Sequence, residues 1–132
     1  MDLVHERPDY EYVLRGADGR SALVNDRRLV ASFIVSPTRL VEDWAAAAVD
    51  ALAPEQLEAL FALDPEVILL GTGDAQAFPP PRTMAACLAR GVGFEAMTNA
   101  AAARTFNVLA SEGRRVVAGF ILAGDGPQRA GR

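Results

Sequence analysis

The pattern of apolar residues changes at Glu66, and this change strongly limits the folds open to the chain. From Tyr10 to Val35, apolar and polar residues alternate, as they do in strands with one buried face. From Glu66 onward the pattern indicates strand, loop, helix, strand, helix, strand. The segment "EVILL" at 66–70 is a continuous apolar run, which is typical of a strand covered on both faces.

Strands that alternate with helices pair in parallel through right-handed crossovers. The sequence therefore predicts an α/β fold, built as a single domain around a central mixed β-sheet. We expect an antiparallel meander in the N-terminal part, a parallel βαβαβ arrangement in the C-terminal part, and helices on the faces of the sheet.

Turn residues divide the first third of the chain. Asp18-Gly19 between alternating runs predicts a hairpin, and Asn25-Asp26 predicts a second turn. "LVASFIV", from Leu29, is expected to be one strand, and Ser36-Pro37 closes the meander because proline has no N–H for a central ladder. The segment Trp44–Leu52 is ambiguous between helix and other structure.

Three helices are expected. Pro54 suits the first position of "PEQLEALFAL", whose leucines and phenylalanine recur on one face. "RTMAACLAR" ends at Gly91. "NAAAARTFNVLASEG" is capped by Thr98 or Asn99 and ends at Gly113.

Size and charge narrow the functional classes. The 132 residues correspond to one domain, with tails at about 1–8 and 124–132 that are expected to be flexible. The net charge is −4 and no basic run is present, which argues against a nucleic-acid partner. No apolar stretch approaches the ~20 residues of a transmembrane helix. The N-terminus "MDLVHERPDY" does not look like a signal peptide, so a cytoplasmic location is expected.

The Gly71-Thr72-Gly73 segment lies just beyond the carboxyl end of a strand, where α/β sheets bind ligands. Two features oppose a dinucleotide fingerprint. Gln76 stands where the third glycine is needed, and Pro79-Pro80-Pro81 supplies no N–H groups. The glycines are therefore expected mainly to allow a tight turn, and the alternative, close approach of a small anion or nucleotide, stays open.

The sequence gives little support for a catalytic group of side chains such as a nucleophile with its base. His5 is the only histidine and Cys87 the only cysteine, and Cys87 is expected to be a small buried hydrophobe. Asp74 and Glu95 could form a carboxylate pair for acid/base work or a metal, although Asp74 is more often a simple loop acid. No cofactor and no metal site are predicted.

The helix that follows Thr98 carries two stripes. The core-facing stripe is expected to contain Ala102, Phe106 and Leu109. The second stripe contains Arg104, Asn107 and Ser111, and it is either a solvated face or a surface that reaches the glycine loop or a protein partner.

Taken together, the segment "LLGTGDAQAFPPPRTMAACLARGVGFEAMTNAAAARTFNVLASEGRRVVAGFIL" resembles the small bacterial domain of unknown function whose eukaryotic relatives include mitochondrial complex I assembly factor 3. "SFIVSPTRLVEDW" is similar to the first half of that family. The resemblance implies a three-layer α/β fold and no established enzyme activity. For the mitochondrial relatives it implies assembly of the respiratory NADH dehydrogenase through protein contacts. The family motif falls on Gly71, Thr72, Gly73, Pro79, Glu95, Met97, Arg104, Thr105, Asn107, Glu112 and Arg114.

The chain departs from this family at three places. It has Phe106 where tyrosine is frequent, Thr98-Asn99 where Asp-Thr is frequent, and Ala103 where cysteine is frequent. Because this chain lacks that phenol and that thiol, the case for a catalytic mechanism that the whole family would share through these groups is weaker.

Two functional hypotheses follow. The first is a binding or assembly module without catalysis, with a protein partner. The second is a small-ligand or enzymatic site at the glycine loop, facing Arg104 and Glu95. The candidate residues are Gly71, Thr72, Gly73, Asp74, Glu95, Arg104, Thr105 and Asn107.

Overall fold

The computed structural model describes residues 10–124, so the predicted flexible tails and His5 fall almost wholly outside the described residues. The strands are β1 (Leu14–Ala17), β2 (Ala22–Val24), β3 (Arg27–Leu29), β4 (Phe33–Val35), β5 (Leu40–Val41), β6 (Val67–Gly71), β7 (Gly93–Met97) and β8 (Val116–Phe120). The α-helices are α1 (Glu58–Phe61), α2 (Pro81–Ala89) and α3 (Asn99–Ser111). Short 3₁₀ turns cover Val49–Ala51 and Pro54–Leu57.

Five of the eight described strands form a mixed sheet with the order β5-β4-β8-β6-β7. β6 runs parallel to both β7 and β8, whereas β4 is antiparallel to β8 and β5. The α/β class, the mixed sheet and its parallel C-terminal part are confirmed.

The N-terminal meander forms a three-stranded antiparallel sheet of its own, with the order β1-β2-β3. The expected continuous strand "LVASFIV" is interrupted between Leu29 and Phe33. The polar groups of Ser32 explain the break, because they bond outside the strand ladders. Its hydroxyl accepts from the Leu122 N–H at 3.0 Å, and its carbonyl accepts from the Trp44 N–H at 3.2 Å.

The two faces of the large sheet bury separate cores. Val67 and Leu69 of β6 face α3 and the small sheet, whereas Ile68 and Leu70 face α1, α2 and the Trp44 segment. All five residues of β6 are buried, as the apolar run predicts. Each fully buried leucine or isoleucine side chain stabilises the fold by about 1.5–3 kcal/mol.

The helix boundaries follow the expected signals. Thr98 is the cap of α3, because its hydroxyl accepts from the Ala101 N–H at 3.2 Å. Gly91 and Gly113 take positive φ angles of 71° and 78° where α2 and α3 end.

The helix expected at Pro54 begins as a 3₁₀ turn before it continues as α1. The ambiguous segment Trp44–Leu52 is irregular up to its 3₁₀ turn. It is held by the indole N–H of Trp44, which donates to the Gln56 carbonyl at 3.0 Å.

Candidate functional site

Asn99 is the centre of the glycine-loop region. It is the first residue of α3, its side chain is fully buried, and its amide joins three separate segments. The Oδ1 atom accepts from the Gly73 N–H at 3.1 Å. The Nδ2 group donates to the Asp18 carbonyl at 2.8 Å and to the Ile121 carbonyl at 3.0 Å. One amide therefore holds together the carboxyl ends of β6 and β8, the β1–β2 turn and the start of α3.

This packing explains both glycines of the loop. A Cβ on Gly71 would lie 2.3 Å from Asn99 Oδ1 and 3.0 Å from a ring carbon of Phe120, so no larger residue fits without movement. Gly73 has φ 103°, a conformation that other residues rarely adopt. The expectation that these glycines serve a tight backbone turn agrees with this geometry.

The polar groups of the loop bond to the protein itself. The Thr72 N–H donates to the Met97 carbonyl at 2.8 Å, and the Gly73 N–H donates to Asn99. The Thr72 hydroxyl donates to the Ala75 carbonyl at 2.8 Å and accepts from the Ala77 N–H at 3.3 Å. An anion bound by the Thr72 and Gly73 N–H groups would have to displace these contacts, and the small-anion alternative stays a prediction.

Asp74 acts as a loop acid. Its Oδ1 accepts from the Gly19 N–H at 2.8 Å, and a Cβ on Gly19 would meet Asp74 Oδ2 at 2.6 Å. The carboxylate thus fixes the β1–β2 turn against the loop. Between residues 10 and 124, no group of three or more His, Cys, Asp or Glu side chains could hold a metal ion.

Asn107 binds the small sheet to α3. Its Oδ1 accepts from the Leu14 N–H at 2.9 Å and its Nδ2 donates to the Leu14 carbonyl at 2.7 Å. Successive helix residues are about 100° apart, so Arg104 lies about 60° from Asn107, on the same flank of α3 but further out. Arg104 is exposed and makes no hydrogen bond or ion pair with another residue of the described part of the chain. Thr105 is half-buried on the opposite flank.

Glu95 lies on β7, at the edge of the sheet. It is exposed and shares the α3-facing side with its register partner Leu69. β7 is the edge strand beyond β6, whereas β1 packs against the flank of α3 that carries Asn107. The structure therefore gathers Gly71, Thr72, Gly73 and Asp74 around the start of α3, but it does not bring Glu95 to the flank that carries Arg104.

The other groups with possible chemical roles are either buried or bonded to neighbouring residues. Cys87 is fully buried on α2, as predicted, and burial raises the pKa of its thiol. Arg114, one of the motif positions, donates to Glu66 Oε2 at 3.0 Å. The Arg115 N–H donates to Glu66 Oε1, also at 3.0 Å, and these contacts lower the pKa of the Glu66 carboxyl.

Residues 14–121 match the protein family described as a protein of unknown function, DUF498/DUF598. This chain belongs to that family. The resemblance to a bacterial family of unknown function is thereby confirmed, and its relation to complex I assembly stays a prediction.

Solved structures and a curated relative add detail. The chain is 54% identical to a Xanthomonas campestris protein whose NMR structure has a TM-score of 0.83, with full coverage of both chains. It is 29% identical to a Bordetella pertussis protein described as a Mth938-like domain, with a TM-score of 0.76 and coverage of 96% of this chain and 95% of that one.

A Francisella tularensis relative named "13 kDa major membrane protein" is 31% identical over 68 residues, or 52% of this chain and 55% of that protein. The chain thus matches about half the length of that relative. No helix within residues 10–124 is long and apolar enough to cross a membrane. The cytoplasmic location stays a prediction.

Proposed function

We propose that this chain is a non-catalytic binding module that acts through protein contacts. Following the family resemblance, we further propose that these contacts assist assembly of the respiratory NADH dehydrogenase. One observation carries the first proposal: α2 and the segment just before it expose apolar side chains to solvent. We call Phe78, Pro81, Ala85 and Leu88 the α2 surface. The exposed fractions of Phe78 and Leu88 are 60% and 80%.

The α2 surface differs from an ordinary solvated helix face. Surface helices usually direct charged residues outward, opposite the side that packs on the core. In α2, Thr83 and Cys87 face the core, and Pro81, Ala85 and Leu88 recur at i, i+4 and i+7 on the other side. Exposed apolar side chains that recur on one side of a helix are typical of interaction sites.

The polar residues near the glycine loop also support binding over catalysis. The side chains of Asn99, Thr72 and Asp74 form hydrogen bonds with neighbouring segments of the chain. A general base or nucleophile must instead point at a substrate within hydrogen-bond reach.

A pair of glutamate substitutions tests the surface. Leu88→Glu places a charge on the α2 surface, and Val108→Glu is the matched control, because Val108 is 54% exposed on α3 at the other face of the sheet. Both positions are exposed, so each substitution is expected to change folding stability by no more than about 0.5 kcal/mol. Circular dichroism and thermal unfolding of the purified variants check this expectation.

The functional readout is the amount of assembled NADH dehydrogenase on native gels of the source organism after deletion of the gene. We expect the wild type and Val108→Glu to restore the assembled complex and Leu88→Glu to fail. Full restoration by Leu88→Glu would remove the α2 surface from the proposal. An unchanged amount of complex in the deletion strain would end the assembly proposal.

Direct contact is tested separately by a photo-crosslinking residue placed at position 85 or, as the control, at position 108. A protein adduct that forms in cells at position 85 and not at position 108 supports the binding module. Equal or no adducts at the two positions contradict it.

A further inference from the structure

The turn between β1 and β2 contains the dipeptide Asp18-Gly19, which is the kind of aspartyl bond most prone to rearrangement. The backbone nitrogen of the glycine can attack the Cγ atom of the aspartate, because no side chain on the glycine hinders the approach. An N–Cγ bond then closes a succinimide ring, and the amide proton and the carboxyl hydroxyl leave as water. Water opens this ring at either carbonyl, which gives aspartate again or isoaspartate, whose backbone is one carbon longer.

The geometry of the turn requires both residues. A Cβ on Gly19 would lie 2.6 Å from Asp74 Oδ2 and 2.8 Å from Asp74 Cγ, so no larger residue fits at this position without movement. Asp18 closes the turn, because its Oδ1 atom accepts from the N–H groups of Arg20 at 2.8 Å and of Ser21 at 2.9 Å. The fold therefore needs a dipeptide that is chemically vulnerable in an open chain.

The peptide group that joins Asp18 to Gly19 is hydrogen-bonded at both ends. The Gly19 N–H donates to Asp74 Oδ1 at 2.8 Å, and the Asp18 carbonyl accepts from Asn99 Nδ2, also at 2.8 Å. The glycine nitrogen can attack only after it loses its proton, and a carboxylate is far too weak a base to remove that proton. The negative charge of Asp74 instead opposes formation of the amide anion, because like charges repel.

The carboxyl group that would be attacked is restrained as well. Ring closure consumes the protonated carboxyl group, since an ionised carboxylate has no hydroxyl to lose. Hydrogen bonds from the Arg20 N–H and then from the Ser21 N–H lower the pKa of the Asp18 carboxyl. The closed turn therefore holds this group in place in its unreactive, ionised form.

We infer that Asp18-Gly19 is a latent isoaspartate site, which the Asp74 carboxylate protects from rearrangement while the β1–β2 turn is closed against the glycine loop. In isoaspartate the former peptide carbonyl becomes a free carboxylate, and the Cγ carbonyl takes its place in the chain. The contacts with Asn99 and Asp74 then cannot both be kept, so the rearrangement separates the turn from the loop. This inference does not depend on the proposed function, because it concerns the β1–β2 turn and not the α2 surface.

Ageing of the purified full chain at neutral pH tests the inference. Trypsin releases the site in a peptide of residues 16–20, because arginines stand at positions 15 and 20. Chromatography against synthetic peptides with aspartate or isoaspartate at position 18 then measures the fraction that has rearranged. We expect the wild type to rearrange several times more slowly in native buffer than in urea, where the turn is open.

Substitutions at Asp74 test the protecting group directly. Asp74→Ala removes the acceptor of the Gly19 N–H and should raise the rate of isoaspartate formation about 3- to 30-fold, the factor expected for the loss of one charge-assisted hydrogen bond at the surface. Asp74→Asn retains an acceptor oxygen without the charge, so its rate should lie between those of the wild type and of Asp74→Ala. Circular dichroism checks that both variants are folded.

Ile68→Val is the control for a general loss of stability. Ile68 is fully buried on the other face of the large sheet, and removal of one methylene there lowers the stability of the fold without touching the β1–β2 turn. Ile68→Val should therefore rearrange at the wild-type rate. An equal increase in Ile68→Val and Asp74→Ala would overturn the role of Asp74, and so would a wild-type rate in Asp74→Ala. Equal rates for the wild type in native buffer and in urea would overturn the protected site itself.

Discussion

Replacing Asn99 with alanine should be one of the most damaging single changes that this fold can undergo. The substitution removes three hydrogen bonds from a fully buried side chain. The Ile121 carbonyl is buried and would lose this partner, which costs about 1–3 kcal/mol. The bonds to Gly73 and Asp18 lie nearer the surface, where water can replace part of each, and their loss costs about 0.5–1.5 kcal/mol each.

The expected total for Asn99→Ala is therefore about 2–6 kcal/mol, a large share of the ~5–15 kcal/mol that stabilises a typical domain. Urea unfolding followed by circular dichroism measures it as a lower transition midpoint at an unchanged slope. Asn99→Asp keeps the size but removes both donors and buries a carboxylate, so it should be at least as damaging.

Arg104→Ala is the control for Asn99→Ala, because it alters an exposed side chain one and a half turns further along the same helix. It should change the free energy of unfolding by less than about 0.5 kcal/mol. A loss below about 1 kcal/mol for Asn99→Ala would refute the idea that this amide holds the four segments together.

Three further changes test other parts of the structure. Asn107→Ala removes two hydrogen bonds to β1 and should cost about 1–3 kcal/mol in the same urea assay, so an unchanged midpoint would contradict their contribution. Gly71→Ala would place a Cβ 2.3 Å from a buried amide oxygen and should cost about 1–3 kcal/mol, whereas Gly16→Ala, with no atom within 4 Å, should be nearly neutral; equal effects would refute the steric argument. Glu66→Gln tests a carboxyl whose pKa is lowered, first by the Arg115 N–H, so its contribution to stability is present above pH 4.5 and is lost as the pH falls through the folded-state pKa. The stability difference between Glu66→Gln and the wild type should therefore shrink below pH 4.5, and a difference that grows on acidification would contradict the assignment.

The C-terminal half of the fold could be predicted from the sequence because its signals are local. The apolar run of β6, the cap at Thr98 and the terminal glycines each act within a few residues of where they stand. The separation of the small sheet from the large one could not be predicted in this way. It depends on Ser32, whose hydroxyl partner is 90 residues away in sequence.

The role of Asn99 was also beyond sequence reasoning. The sequence offers Asn99 as a candidate helix cap beside Thr98 and as a departure from the family pattern, and nothing in its immediate neighbours indicates a buried amide. Its partners, Asp18 and Ile121, are 81 and 22 residues away. Asn107 shows the same limit: helical spacing placed it correctly beside Arg104, but its contact with Leu14 spans 93 residues.

The position of β8 has a consequence for how the molecule is made. β8 is the last described strand along the chain, yet it lies between β4 and β6 in the middle of the large sheet. Until Val116–Phe120 has been synthesised, the β4–β5 pair and the β6–β7 pair cannot join, and each would present an unpaired edge to other chains. A nascent or truncated chain that ends before Val116 is therefore expected to aggregate and to need chaperone protection, whereas the complete strand closes both edges in one step.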